Sequence, residues 1–369
     1  MEQIFVGLMS GTSIDSIDSV LVDLGSRRLK ILEKNSTKIP KRLKMNTLKA
    51  IDNESLSKKE ILYLDEQFGT LFARAVLDLI KKGKIEKSKI IAIGSHGQTI
   101  KHSPGSDKPY SIQVGSPIKI SKLTGIKTVA DFRSKDIKEG GQGAPLTPLF
   151  HQFILKLNNL QKGIFINIGG ISNLTYIDKQ KNLLFGFDCG PGNCLMDSWI
   201  RSHGKGEYDE SGKWASSGKV IPKLVSIMLK DQYFSFNAPK STGPDYFSLS
   251  WLEEKISLLK ETPLDEDVQA TLLELTSQTI FQEIKKLKCL KENIYFCGGG
   301  IHNDSLMKSI QKKKGTLVLN TNSLGLDPDY LEATCFAWLA QQKLENKKFN
   351  LSRITGSKKP LSLGKVWSS

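Results

Sequence analysis

Ile4-Phe5-Val6-Gly7-Leu8-Met9-Ser10-Gly11-Thr12-Ser13-Ile14-Asp15-Ser16-Ile17-Asp18-Ser19-Val20-Leu21-Val22 carries two apolar runs on either side of a small, polar tip. Residues 4–6 read as a strand ending at Gly7, and the strand pattern resumes at 20–22 after the turn Ser10-Gly11-Thr12-Ser13, so the segment is a β-hairpin. The same pattern returns at 163–176, where Ile164-Phe165-Ile166 runs into Asn167-Ile168-Gly169-Gly170-Ile171-Ser172-Asn173 and then Leu174-Thr175-Tyr176. Recurrence of one unit points to a duplicated architecture, with one tip in each half.

Outward from the hairpins, strands alternate with helices, which argues for an α/β protein. Residues 57–82 are helical in pattern, 90–93 a strand ending at Gly94-Ser95-His96-Gly97-Gln98, and 126–130 a strand ending at Asp131. In the second half, 183–187 is a strand ending at Asp188, and Gly190-Pro191-Gly192-Asn193 turns the chain into a helix from Cys194 with Asn193 as its N-cap. Helices at 221–230 and 268–287, a strand at 294–296, the turn Gly298-Gly299-Gly300, and helices at 304–313 and 330–344 follow. A chain of 369 residues exceeds the size at which one core stops growing, so two domains are expected.

The bulk properties narrow the function classes. The start of the chain has no basic leader pattern and no apolar run approaches the roughly 18 residues of a membrane span, so a cytosolic protein with no membrane partner is expected. Five cysteines, odd in number and without a Cys-x-x-Cys pair, read as reduced thiols rather than as disulfides or metal ligands. The net charge of +15 and the basic stretches 27–49, 81–89 and 312–314 raise a nucleic-acid reading. Those lysines have acids nearby and lack interleaved stacking aromatics, so a solvated surface is the better reading and no nucleic-acid partner is expected.

The turns carry the chemistry. Gly11-Thr12-Ser13 and Gly169-Gly170 are either plain hairpin turns or tips whose amides approach a phosphate, since a residue without Cβ tolerates close contact. Asp15 and Asp18 add oxygen ligands suited to Mg²⁺, directly or through water. Gly298, Gly299 and Gly300 stand after a strand and before a helix, where a helix N-terminus faces a nucleotide. They form neither the G-x-G-x-x-G fingerprint nor a P-loop with its lysine. Two hairpins and a glycine turn are instead the style of the sugar-kinase and actin-like ATPase architecture. Asp188 is either a cleft-facing carboxylate or a turn cap, and His96 either a site residue or a loop residue satisfied by backbone. Asp131 and Arg133 either face a ligand or pair with each other, and Glu332 either does chemistry or stabilises the first turn of its helix.

Taken in order, a set of motifs spans nearly the whole chain. It comprises Gly7-Leu8-Met9-Ser10-Gly11-Thr12-Ser13-Ile14-Asp15, Ser95-His96-Gly97-Gln98-Thr99, Ala130-Asp131-Phe132-Arg133, Gly140-Gly141-Gln142-Gly143-Ala144-Pro145-Leu146 and Asn167-Ile168-Gly169-Gly170-Ile171. Phe187-Asp188, Gly190-Pro191-Gly192-Asn193, Pro239-Lys240-Ser241-Thr242-Gly243, Cys297-Gly298-Gly299-Gly300 and Gly325-Leu326-Asp327-Pro328-Asp329 complete it. This ordered set resembles the anhydro-N-acetylmuramic acid kinase family. The resemblance implies a two-domain actin-like ATPase fold, a duplicated ribonuclease H-like arrangement with a central interdomain cleft, and a homodimer. Domain I is expected at 1–133 plus 345–369 with the first phosphate hairpin, and domain II at 134–344 with the second hairpin, Asp188 and the glycine turn.

By that resemblance, Gly11, Thr12, Ser13, Ile14, Asp15, Ser16, Ile17 and Asp18 hold the phosphates of ATP, with Gly169 and Gly170 opposite and Gly298, Gly299 and Gly300 toward the nucleoside. His96, Gly97, Asp131, Arg133 and Glu332 line the sugar pocket, and Asp188 is the catalytic base. Two departures stand out: Ser16 replaces a usual Gly, which matters if the position needs a positive φ, and Cys189 replaces a usual Thr and removes a hydroxyl. The implied reaction opens a 1,6-anhydro sugar with water and phosphorylates the released O6 from ATP, the phosphoryl group taking over the role of a general acid. The rivals are an ordinary sugar kinase on the same fold and a non-catalytic ATPase or basic nucleic-acid binder.

Overall fold

The computed structural model describes residues 2–25, 29–53, 55–238, 240–315 and 318–368. Pro239, Arg27, Arg28 and the side chain of Lys314, which belong to stretches singled out above, lie outside the described residues. The chain divides into two compact units, Met1–Phe153 with Tyr330–Ser369, and Ile154–Asp329.

In the first unit β1 (Ile4–Ser10), β2 (Ser16–Asp23) and β3 (Lys30–Lys38) form an antiparallel meander, and β4 (Ile90–Ser95) runs parallel to β1. A separate hairpin pairs β5 (Gln98–Ser103) with β6 (Tyr110–Val114). β7 (Thr128–Ala130) lies parallel to β4, and the C-terminal strand Lys365–Trp367 closes that edge antiparallel to β7. The order across the sheet is therefore C-terminal strand, β7, β4, β1, β2, β3. β1 is central and almost wholly buried, as its unbroken apolar run demands. It continues through Gly7 to Ser10, past the expected end. β3 is the opposite case: its sequence KILEKNSTK reads as a charge run, yet it is an edge strand whose exposed lysines discourage pairing with another chain.

Helix Lys58–Gly83 begins with a capping box, Ser57 and Glu60 each bonding the other's backbone amide, and buries Phe68, Phe72 and Leu79. Helix Leu331–Leu344 has buried residues on every side and lies directly on the sheet. A Cβ on Gly7 would stand 1.9 Å from the Ala333 carbonyl oxygen, and one on Gly94 2.0 Å from that of Phe336. The helix thus belongs to the first unit, as does the segment 134–153, and the boundaries fall elsewhere than the expected 133/134 and 344/345. The reason is packing: the helix's apolar faces are covered by β1 and β4.

The second unit repeats the plan. β8 (Lys162–Ile168), β9 (Ile171–Asp178) and β10 (Leu183–Pro191) make the meander, with β11 (Ile294–Cys297) parallel to β8 and β12 (Leu319–Asn320) parallel to β11. The order is β10, β9, β8, β11, β12, which matches β3, β2, β1, β4, β7 of the first unit. Ile164, Ile166, Ile168 and Leu174 pack with Leu272, Leu275 and Ile280 of helix Asp265–Lys286. The expected α/β duplication is present in the strand order of both units.

Because Gly94 leaves no room for a side chain, Gly94→Ala is expected to lower the unfolding free energy by about 1–3 kcal/mol. The readout is the urea midpoint at constant m; an unchanged midpoint would mean that the helix does not rest on β4.

Candidate active site

The β1–β2 tip in the first unit is closed by the Ile14 amide donating to the Gly11 carbonyl at 3.2 Å. Thr12 and Ser13 are exposed, and the space around a Cβ on Gly11 is open. Ile14 and Ile17 are fully buried in the core, which leaves their contribution to the tip to the main chain. The positive φ in this loop falls on Ile14, at 54°, and not on Ser16, which sits in β2 opposite Lys38. The Ser16 departure is therefore harmless to the backbone, while a β-branched residue at positive φ stores strain at the tip.

Asp15 is held by the Lys44 ammonium, whereas the Asp18 carboxylate accepts from Ser36 Oγ at 2.9 Å and Ser16 Oγ at 3.4 Å. Hard cations take oxygen ligands, so Asp18, beside two serine hydroxyls, suits Mg²⁺ better than Asp15, which faces an ammonium. Among the described residues no group of three or more His, Cys, Asp and Glu side chains is placed to hold a metal ion.

His96 follows the end of β4, its amide donating to the Leu8 carbonyl at 3.1 Å. Its Nε2 receives Arg133 Nε at 3.1 Å and an Arg133 terminal nitrogen at 2.8 Å, while Nδ1 lies 3.0 Å from the Gly97 carbonyl. A guanidinium has only donors, so Nε2 must present its lone pair and Nδ1 carries the proton that it donates to Gly97. The ring is neutral, in agreement with a pKa well below the usual value, lowered by burial and then by the Arg133 charge. Burial also lowers the Arg133 pKa to about 10, against the raising influence of Glu332 and Asp136. The Glu332 carboxyl is raised by burial and by Asp18, with Arg133 opposing.

The loop 140–146 supplies the other Arg133 partner, the Gly143 carbonyl at 2.8 Å. That loop is shaped by buried Asp136, which accepts from the Gly143 amide and from Thr355 Oγ1, each at 2.7 Å. Asp131 and Arg133 do not pair. Asp131 has φ 48° and binds Lys365 at 2.7 Å and the Ser134 amide at 3.2 Å. His96, Gly97 and Asp131 line a cavity of about 250 Å³, together with Ser111, Gln113 and Trp367. Ser95 Oγ, also at this wall, is buried without a hydrogen-bond partner among the described residues. Arg133 and Glu332 are not among the residues of that wall; Arg133 reaches it through His96, and Glu332 acts on Arg133.

In the second unit, β10 does not end at Asp188 but runs on to Pro191 with a bulge between Asp188 and Gly190. A bulge re-aims a side chain, and here the half-buried Asp188 carboxylate accepts through Oδ2 from the Thr242 amide at 3.0 Å, not from its own turn. Among the described residues no hydrogen bond reaches Oδ1. Burial raises its pKa to about 6, against the Thr242 amide and the Lys240 charge. Cys189 is buried in the core, where burial pushes its thiol well above the usual range.

At the β8–β9 tip, the Gly169 amide is used by the Ile171 carbonyl at 3.2 Å. The Gly169 and Gly170 carbonyls receive the amides of Gly192, Asn193 and Cys194 at 2.8–3.0 Å. Asn193 occupies the N-cap position, but its side chain donates to the Ile168 carbonyl instead of capping. Of the three glycines after β11, Gly298 has φ 79° and Gly300 packs on Ile168, so only Gly299 borders open space. A short 3₁₀ turn, Gly299–His302, intervenes before helix Asp304–Lys314, whose N-terminus is capped by Asn303.

The sequence motifs named Lys240 and Thr242 without a role, and nothing in them pointed to Tyr233 or Glu283. Tyr233 sits in a short 3₁₀ turn, and Glu283 has the spacing of an ordinary helical surface acid. Lys82 pairs with Glu33 at 3.1 Å and Lys313 with Glu274 at 2.8 Å. All five cysteines are buried thiols. Among the described residues no helix is long and apolar enough to cross a membrane.

Two sheets of one strand order, each a meander extended by parallel strands, define the duplicated ribonuclease H-like class to which actin-like ATPases and sugar kinases conform. The sequence profile of the anhydro-N-acetylmuramic acid kinase family matches residues 3–369. The protein of that name from Coxiella burnetii (strain Dugway 5J108-111) is 43% identical over 366 residues, covering 98% of this chain and 97% of its own. The one from Shewanella denitrificans is 42% identical over 367 residues, covering 99% and 98%. The chain belongs to the anhydro-N-acetylmuramic acid kinase family.

The tautomer argument has a direct check. At pH 6, where an exposed imidazole is mostly protonated, His96 is expected to remain neutral with its proton on Nδ1, as read from its ring ¹⁵N shifts. An imidazolium signal at that pH would contradict the Arg133 contact.

Proposed function

We propose that the protein uses ATP to open 1,6-anhydro-N-acetylmuramic acid hydrolytically and to phosphorylate O6, giving N-acetylmuramic acid 6-phosphate and ADP in the reuse of cell-wall sugar. Family membership across nearly the whole chain supports the reaction class. The observation that carries the mechanism is Asp188, a half-buried carboxylate at a strand bulge with one oxygen fixed by an amide and its pKa near neutrality. A general base works best in that range.

Asp188 takes a proton from water as the water oxygen bonds to C1. The C1–O6 bond breaks, its electron pair stays on O6, and O6 bonds to the γ-phosphorus as the bond to the β-phosphate oxygen breaks. Because O6 leaves directly to phosphorus, no side chain need protonate it. Positioning and electrostatics dominate phosphoryl transfer, and the open tip at Gly11, Thr12 and Ser13 offers amides and hydroxyls for the triphosphate. Gly170 and Gly299 add main-chain surface in the second unit. Asp18, with Ser16 and Ser36, would hold Mg²⁺, which when bound spreads the phosphoryl charge. The sugar is assigned to the wall of His96, Gly97 and Asp131, with Arg133 holding His96 through Nε2 and Glu332 acting on Arg133. The protein is taken to act as a cytoplasmic homodimer.

Asp188→Asn is expected to lower kcat on the order of 10²-fold while leaving nucleotide affinity unchanged by calorimetry. Protonation of the base turns it off, so wild-type kcat should fall about tenfold per pH unit below about 6. With isotope-labelled water the label should appear on C1 of the product; label in phosphate alone would mean plain ATP hydrolysis.

A further inference from the structure

Lys240 is a buried lysine in a loop without regular secondary structure, its side chain only 3% exposed. Its ammonium lies 3.0 Å from Glu283 Oε1 on helix Asp265–Lys286 and 4.9 Å from the centre of the Tyr233 ring. Lys240 and Tyr233 also reach Asp188. The Asp188 amide donates to the Lys240 carbonyl at 3.0 Å, and Tyr233 Oη donates to the Asp188 carbonyl at 2.7 Å. Two residues after Lys240, the Thr242 amide donates to Asp188 Oδ2 at 3.0 Å. The amide, the carbonyl and the carboxylate of Asp188 are thus each bonded to Lys240, to a residue beside its ammonium or to a residue two positions after it.

We propose that Lys240, seated by Glu283 and Tyr233, is the positioning residue that orients the Asp188 carboxylate and supplies the positive charge that keeps it ionised. The proposal rests on Asp188 being the base.

Energetics favours a role for the charge over mere packing. Taking an ammonium and a carboxylate out of water costs several kcal/mol per ion, and an apolar pair of the same volume often holds a fold as well or better. Loop 240–242 is already tied to β10 by the Asp188 amide on the Lys240 carbonyl and by the Thr242 amide on the Asp188 carboxylate, so the ion pair is not its sole link to the strand. What an apolar pair cannot supply is positive potential beside a desolvated acid, and the Lys240 charge is indeed felt by Asp188 as a lowering influence against burial. The other ionisable groups around Asp188 are Tyr233 and Cys189, on which it acts directly, and Glu283 and Lys286, which act on those neighbours. Burial raises the pKa of both Tyr233 and Cys189, so both stay neutral, and Lys286 binds the same Glu283 oxygen at 2.8 Å from a half-exposed position. The only buried cation in this set is Lys240.

The test is the pH profile of kcat for wild type, Lys240→Met, Lys240→Arg and Glu283→Gln, with folding checked by circular dichroism and thermal melting. Lys240→Met should move the acid limb up by about one pH unit, so that kcat is roughly fivefold lower at pH 6, about tenfold lower at pH 5, and recovers by pH 8. Lys240→Arg keeps the charge and should leave the limb near its wild-type place with a modest loss of kcat. Glu283→Gln removes the neutralising partner and should move the limb down. If Lys240→Met does not fold, the comparison of Lys240→Arg with Glu283→Gln decides. A limb that stays put, or moves the same way, in every folded variant overturns the proposal. If Asp188→Asn retains the wild-type activity and limb, it is the assignment of the base that fails instead.

Discussion

A helix laid on two strands with no side chain between them is the constraint on which the first unit depends. Leu331–Leu344 meets β1 and β4 where Gly7 and Gly94 expose bare backbone, so the carbonyls of Ala333 and Phe336 come closer than any Cβ would allow. The close approach fixes the start of the helix, and with it Glu332, in the field of Arg133 and Asp18. It also packs the Phe336 ring, tilted, against the His96 ring at a centroid distance of 4.6 Å, and Phe132 against Phe336 at 5.4 Å. The orientation of the imidazole is therefore set by packing on one side and by Arg133 on the other.

Both units then meet the same electrostatic problem, a charge partly withdrawn from water, and solve it differently. Arg133 is given acceptors only: an imidazole lone pair, the Gly143 carbonyl and the nearby field of Glu332. A neutral histidine beside a guanidinium is the cheaper state, since a second cation there would add repulsion to desolvation. Asp188 is given one amide and a neighbouring ammonium, enough to offset part of its desolvation and leave its pKa near 6. A fully compensated carboxylate would be a poor base, and an uncompensated one would be protonated at neutral pH.

Where the residues of the site come from follows from this. Strand ends and bulges deliver His96, Asp131 and Asp188, while the groups that tune them arrive from distant segments: Glu332 from the last long helix, Gly143 from a loop, and Lys240 and Glu283 from a loop and a helix far along the chain. The tip glycines divide in the same way. Gly298 and Gly300 are required by contact with β8, whereas Gly11 and Gly299 border open space and are the positions where backbone can meet a ligand.

Short-range signals were enough for the doubled hairpin, most helices, the thiols and the reading of His96 and Asp131 as residues at strand ends, because period, turn chemistry and capping act over a few residues. Edge strand β3, disguised by its lysines, and the run of β10 past Asp188 were not legible, since pairing partners and bulges are set by a neighbouring strand. The domain boundaries, the absence of an Asp131–Arg133 pair and the clustering of Tyr233, Lys240 and Glu283 around Asp188 were likewise invisible. Sequence alone determined which residue types stand at the turns and how often the plan repeats. Tertiary structure decided which of them lose water and which partner each then finds, because desolvation and charge pairing depend on distance in space and not on separation along the chain.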